Sequence, residues 1–247
     1  MKQNIYDESG FFKNYQRMRN NKSGLNEIFE QLAILSLLPD IKSLTILDLG
    51  CGTGELCRHM SDMGAKSVLG VDISSNMLEL AQKQMITGVS FQNKAMEDLE
   101  FPPETFDLVT SSLAFHYVAD LQDLFQNIYL WLKPLGTLVF STEHPIATCS
   151  QGIHHGWVKD SSGHKLHWPV DQYSYEGTRE SHWFVEGVIK YHRTISTIIN
   201  TLINAGFIIK AVVEPVASEK DEQVWPVLKE ARRRPPFLII KAVKSIS

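Results

Sequence analysis

The chain has 247 residues, 43% hydrophobic and 21% charged, an ordinary makeup for a soluble globular protein of one α/β domain with insertions. A formal net charge of −4 gives no general attraction for a polyphosphate, and three cysteines, an odd number, suit a reducing compartment better than a disulfide scaffold. Residues 1–10 are polar and mixed in charge and no apolar run approaches the ~18 residues of a bilayer span, so the expected location is the cytoplasm, without signal peptide or membrane segment.

Taken in order, residues 10–19 carry Phe11, Phe12, Tyr15 and Met18, which can form one apolar stripe. Ser23 or Gly24 then starts a helix with Leu25, Ile28, Phe29, Leu32 and Leu35 at helical spacing, stopped by Pro39. These two pieces make an N-terminal helical cap, residues 1–40. From there apolar runs at 45–49, 67–73, 89–92, 106–111 and 137–142 read as strands. Between them Ser74 or Ser75 can cap a helix with Met77, Leu78, Ala81 and Met85 on one face, and Asp120 can cap another that ends before Pro134. Alternating strands and helices predict a Rossmann-like, mostly parallel sheet with helices on both faces, the core at 41–145.

The alternation breaks after His144-Pro145. Residues 146–193, rich in Gly, His, Trp and Tyr and without sustained period, form an insertion on the substrate side. Regular structure resumes at Thr194 with a helical stripe closed by Gly206, then strands at 207–213 and 237–243 around a polar helix-like segment, 223–233. Residues 194–247 thus complete the core sheet.

The chemistry concentrates at 44–72. An apolar strand runs into Gly50-Cys51-Gly52-Thr53-Gly54, a helix follows, and a second strand ends on Asp72, about 20 residues past the first glycine, where a ribose-gripping acid is expected. Glycines allow positive φ and let a ligand lie on the backbone, while the helix N–H groups point at its polar end. Where a dinucleotide fingerprint has its third glycine this chain has Glu55, which repels a pyrophosphate at the helix mouth and disfavours NAD and FAD. A nucleoside ligand with one carboxylate and a positive charge fits better.

The run Asp48-Leu49-Gly50-Cys51-Gly52-Thr53-Gly54 resembles the first signature of class I S-adenosylmethionine (SAM)-dependent methyltransferases. The likeness continues through Val71-Asp72-Ile73-Ser74, Met77-Leu78, Phe106-Asp107-Leu108-Val109 and Leu132-Lys133-Pro134, with Gly136 two residues on. The subgroup it most resembles contains small-molecule methyltransferases of the ubiquinone-biosynthesis type. This resemblance implies SAM as cofactor and a seven-stranded sheet whose last strand is antiparallel. Asp48 would orient the turn and the cofactor amine, Gly50, Cys51 and Gly52 would back its methionine part, Asp72 would take the ribose hydroxyls, and Ile73 and Met77 would sandwich the adenine. Ala95, Met96 and Glu97 stand where relatives hold the adenine amine, and Ser112 follows the fourth strand. Tyr15 and Arg19 match a Tyr-x-x-x-Arg segment that folds over the methionine tail, with Arg19 facing the carboxylate. Leu135 replaces the first glycine of the usual Lys-Pro-Gly-Gly turn.

For the chemistry itself, methyl transfer needs an aligned acceptor and exclusion of water, with a base only when the nucleophile carries a proton. Ser111, Ser112, His116, Glu143 and His144 follow the fourth and fifth strands and are expected to face the methyl. His116 is expected to touch cofactor or substrate, His192 to act as base and Arg193 as an anion clamp. The insertion's Trp157, Trp168, Tyr173, Tyr175, Trp183 and Phe184 would roof the site. His164 and His167 lack cysteine partners, so no metal is expected. Lys229 and Arg232 to Arg234, the one basic cluster, read as solvated surface, and the chain lacks the Asn/Asp-Pro-Pro-Tyr and Pro-Cys motifs of nucleobase methyltransferases. The expected acceptor is therefore an oxygen or nitrogen of a small aromatic or amphipathic molecule, with nucleic acid and membrane not expected and the protein a monomer or homodimer. An RNA or protein methyltransferase, or a non-catalytic SAM-binding module, are the alternatives.

Overall fold

The structure, a computed structural model, describes residues 2–20, 25–84, 86–150 and 156–246, with only the backbone of residues 19, 20, 27 and 28. A single turn at Ile5–Asp7 leads into α1 (Ser9–Asn20). A π-helical turn, Asn26–Glu30, continues into α2 (Gln31–Leu37). The expected start at Ser23 or Gly24 lies outside the described residues. The core then alternates β1 (Thr45–Leu49), α3 (Glu55–Asp62), β2 (Ser67–Asp72), α4 (Ser75–Gln82), β3 (Val89–Asn93), β4 (Phe106–Ser111), α5 (Leu121–Trp131) and β5 (Leu132–Glu143).

The caps expected at Ser74 and Asp120 are in place, and Thr194 caps a third helix. Met77 N donates to Ser74 Oγ at 3.1 Å, Asp123 N to Asp120 Oδ1 at 2.9 Å and Thr197 N to Thr194 Oγ1 at 3.2 Å, the last opening α7 (Ile195–Asn204). Leu135 takes φ +63°, the left-handed backbone for which glycine is the natural residue.

Beyond a short α6 (Pro145–Thr148), the insertion is not irregular: it holds β6 (Val158–Lys159) with β7 (Lys165–His167), and a longer hairpin, β8 (Gly177–Trp183) with β9 (Val185–His192). In β9 the buried positions alternate as Val188, Lys190 and His192. Two of these are polar, so a hydrophobic pattern does not reveal the strand. After α7 come β10 (Phe207–Val213), α8 (Glu219–Val224), α9 (Leu228–Arg233) and β11 (Phe237–Lys244). The polar segment expected as one helix is thus two, separated at Pro226.

Seven strands form one sheet in the order β10-β11-β5-β4-β1-β2-β3, parallel except for β11, which runs against both neighbours. Neighbouring residues point to opposite faces: Leu47, Val109, Leu138 and Ile240 pack with α5 and α7, and Ile46, Leu108, Val139 and Ile239 with α2 and α3. Burial on both faces is why these strands read as unbroken apolar runs. Strand order reverses between β1 and β4, and the carboxyl ends there open the crevice in which α/β sheets bind ligands.

Candidate functional site

At that crevice lies a cavity of about 430 Å³, within the range of pockets that enclose a cofactor-sized ligand (about 300–1,000 Å³). Gly50, Gly52, Asp72, Ile73, Met77, Ala95, Met96, Glu97, Ser112 and His116 all border it, as does Tyr15 from α1. Elements far apart in sequence therefore converge as expected.

The glycine turn explains itself in space. Gly50 has φ +72°, and a Cβ there would lie 2.4 Å from Ala114 Cβ, so β1 and the loop after β4 can approach only over a bare Cα. Gly52 has φ +54° and nothing within 4 Å of where its Cβ would point, which leaves backbone open toward a ligand. Asp72 fastens this turn to the next: its Oδ2 accepts from Gly52 N and its Oδ1 from Ser74 N, both at 2.8 Å. Burial nonetheless raises its pKa, against the lowering by these N–H groups.

Two residues of the signature stand behind the cavity instead of on its wall. Asp48, 1% exposed, accepts from Thr110 Oγ1 at 2.7 Å and Cys57 Sγ at 3.2 Å, and burial pushes its pKa up to about 6 against those two bonds. Its oxygens brace β1 against β4 and α3. The buried Cys51 is 9% exposed and its side chain packs with Ile46, Leu56 and Leu78 on the far face.

The roof is aromatic and is drawn from the N-terminal segment, the loop after β4 and the β8–β9 hairpin; of the six aromatics expected from the insertion, Trp183 alone borders the cavity. Tyr6 meets Phe11, Tyr15, Tyr117 and Trp183 edge-on, with ring centroids 4.9 to 6.4 Å apart, and Tyr6, Tyr15, Tyr117 and Trp183 all border the cavity. Residues 2–8 form a strap across the mouth. At one end Asp7 accepts from Ser74 Oγ (2.6 Å), Asn76 N (3.1 Å) and Ser75 N (3.2 Å), capping α4, while Asn4 Nδ2 donates to Ile73 O. At the other, Gln3 pairs with Gly187 O and Ile189 N on β9. Tyr6, Asp7 and Gln3 escape sequence reasoning because they lie in a short polar stretch with no periodicity. Their one sequence signal is an aromatic, Tyr6, among polar residues. The Arg19 side chain lies outside the described residues.

Past the end of β4, His116 is 5% exposed, borders the cavity, and its buried Nδ1 has no hydrogen-bond partner among the described residues. Burial lowers its pKa to about 4; Glu143 acts the other way, and Lys190 and Arg193 add to the lowering. Glu143 also borders the cavity and pairs with Lys190 Nζ at 2.6 Å. Although burial would raise its pKa, Lys190, His116 and Arg234 together bring it below the ordinary carboxylate value. Ser112 Oγ donates to the buried Glu30, which also accepts from Ser141, so Ser112 ties the π-helical turn to the ends of β4 and β5.

Several expectations are corrected here. His192 does not reach the cavity. Its Nδ1 meets Thr148 Oγ1 at 2.8 Å and its Nε2 the carbonyl of Tyr173 at 2.9 Å, so both ring nitrogens are committed and neither can serve as base. Arg193 donates to the carbonyls of Val118 and Ala119 at 2.6 and 2.8 Å and holds the loop after β4 instead of clamping an anion in the cavity. Ser111 donates to Leu49 O, and His144 is turned away, bonded to Glu214 and capping α6. Of the basic cluster, Lys229, Arg232 and Arg233 are exposed as expected, Arg232 pairing with Glu222 and Arg233 donating to Lys165 O and Leu166 O, whereas Arg234 is half-buried and lies over Trp168. His164 Nδ1 is 3.1 Å from Asp160 Oδ2, and among the described residues no three His, Cys, Asp or Glu side chains gather to hold a metal ion. No helix among them is long and apolar enough to cross a membrane.

The comparisons agree with this geometry. A family described as a methyltransferase domain matches residues 47–140. A solved SAM-dependent methyltransferase from Mesorhizobium loti is 40% identical, with 90% of this chain and 100% of that one covered and a TM-score of 0.83. A Listeria monocytogenes protein assigned as a SAM-dependent methyltransferase is 41% identical over 88% of this chain and 98% of its own, with a TM-score of 0.80. An uncharacterised Haemophilus influenzae protein is 40% identical over 97% of this chain and 96% of its own length. With the open backbone of Gly52, the carboxylate of Asp72 and a cavity of cofactor size at the sheet's switch point, the chain belongs to the SAM-dependent methyltransferases and uses SAM as its cofactor.

Proposed function

We propose that the chain methylates an oxygen or nitrogen of a small aromatic or amphipathic molecule held between the cofactor cleft and the aromatic roof. One observation carries this reading: Tyr6, Tyr15, Tyr117 and Trp183 meet edge to face over the cofactor cavity and give it an apolar aromatic wall against which a small aromatic or amphipathic acceptor can lie. SAM supplies an electrophilic methyl group when bound. On this reading Gly50 and Gly52 present backbone to its methionine part, Asp72 accepts from the ribose hydroxyls, and Ile73, Met77 and residues 95–97 enclose the adenine. Tyr15 closes over the methionine end.

His116 borders the cavity beside Glu143 with a ring nitrogen unpartnered among the described residues, so it accepts a hydrogen bond from a methyl acceptor that carries a proton and orients it; with its pKa lowered to about 4 it is a weak base. The roof excludes water and fixes the line of attack. A screen of small metabolites with methyl-labelled SAM tests the reading. Label is expected in a small product, and label found only in added RNA or protein would overturn it. The formal net charge of −4 and the pairing of Arg232 with Glu222 favour the small molecule over a polyanion.

A further inference from the structure

A second cavity, of about 320 Å³, opens beside the first between the β8–β9 hairpin and the start of β11. The two share Leu25, Glu143, Trp183 and Phe237 as a common wall. The charge of this second space is one-sided. Arg179, Lys190 and Arg234 line it, and Glu143 is the one carboxylate among its described lining residues. Lys190 already engages that carboxylate at 2.6 Å.

Among the described residues neither arginine pairs with a carboxylate there. Arg179, 4% exposed, donates to the backbone carbonyls of Cys149, Tyr175 and Thr178, which occupy three of its five N–H bonds without cancelling its charge. Arg234 stacks on Trp168 with its guanidinium carbon 4.2 Å from the ring centroid, and its buried Nε has no hydrogen-bond partner among the described residues. The nearby Glu230 pairs with Lys165. A half-buried guanidinium with an unused N–H is costly to leave bare, and its planar fork matches carboxylate and phosphate oxygens.

We propose that this second cavity holds an oxyanion of the methyl acceptor, a carboxylate or a phosphate, while the acceptor's apolar body passes Trp183 and Phe237 into the cofactor cleft. The inference rests on the small-molecule reading above and narrows it to an anionic, amphipathic acceptor. It also accounts for the hairpin, since Arg179 and Lys190 stand on β8 and β9, and Arg234 on the loop before β11, so that the anion is gripped from both sides.

The test uses three probes that share a ring and differ in charge: benzoate, phenyl phosphate and phenol. Each is titrated calorimetrically, at constant ionic strength, into the full chain saturated with S-adenosylhomocysteine. Benzoate or phenyl phosphate is expected to bind and phenol not, and the stronger of the two anions names the source of the oxyanion. Arg234→Gln should weaken that binding at least tenfold with the melting temperature and the affinity for S-adenosylhomocysteine unchanged, and Arg234→Lys should restore part of it. In parallel, turnover with labelled SAM is scored on aromatic carboxylates, aromatic phosphate monoesters and neutral phenols and amines, with product expected from an anionic set and KM raised at least tenfold by Arg234→Gln. Equal binding of phenol and the anions, no binding of either anion, or indifference to Arg234→Gln would overturn the anion site. If the anion binds as described but label enters no small molecule, the anion site stands and the small-molecule reading fails.

Discussion

His116 and Asp48 are buried within one structural unit and are shifted in opposite senses, so the pH dependence of stability separates them. His116 has its pKa lowered from 6.5 to about 4, chiefly by burial. The unfolded chain therefore binds the proton first, and stability is full above pH 6.5 and lost as pH falls toward 4. Asp48 has its pKa raised from 3.8 to about 6, again chiefly by burial. Here the folded chain binds the proton first, so the contribution is full below pH 3.8 and lost as pH rises through 6.

Each shift spans about 2 to 2.5 pH units, worth about 3 kcal/mol at about 1.4 kcal/mol per unit. In the wild type the two slopes oppose each other between pH 4 and 6 and largely cancel. Single variants expose them. For His116→Phe, which keeps a ring of similar shape without a titrating group, stability relative to wild type should rise by about 3 kcal/mol on going from pH 7 to pH 4. For Asp48→Asn it should rise by a similar amount on going from pH 4 to pH 7. The assay is urea unfolding of the cofactor-free chain at half-unit pH steps, read as the difference from wild type. A His116→Phe difference that is flat from pH 7 to pH 4 would refute the claim that this imidazole is held neutral by burial.

Asp72→Ala removes the acceptor for Gly52 N and Ser74 N along with the proposed ribose contact, so SAM affinity measured by calorimetry should fall at least tenfold, about 1.4 kcal/mol. The two glycines of the turn should fail differently. Gly50→Ala meets Ala114 and should lower the thermal midpoint sharply, whereas Gly52→Ala should fold at a cost of about 1 kcal/mol yet bind SAM weakly, because its methyl group enters the open space. Equal effects of the two on stability would contradict the packing described. His192→Ala should cost about 2 kcal/mol in urea unfolding through its bonds to Thr148 and Tyr173 while SAM affinity is retained, and a selective loss of kcat at unchanged stability would return it to the acceptor site. Removing the anchor of the strap with Asp7→Ala should weaken SAM binding with the core melting nearly unchanged, since Asp7 bonds only the cap of α4 and Asn4 among the described residues.

The sheet and the cofactor were legible in the sequence. Strands buried on both faces must be apolar throughout, helices between them must carry a stripe and a cap, and a backbone that touches a nucleoside must lack Cβ atoms. Each demand leaves a local mark, and 45–49, Asp120, Thr194 and the turn at Gly50 carried those marks openly. Which polar residues border the cavity follows from tertiary contacts alone. His192 and Arg193 looked reactive, yet their nitrogens are spent on Thr148 and on the carbonyls of Tyr173, Val118 and Ala119. Arg234 read as solvated surface and Tyr6, Arg179 and Lys190 drew no expectation, yet the strap, the hairpin and the approach to β11 carry them to the cavities. Hydrogen-bond partners and enclosed charge depend on residues up to 186 positions apart, as between Gln3 and Ile189, and no spacing within one segment records such a meeting.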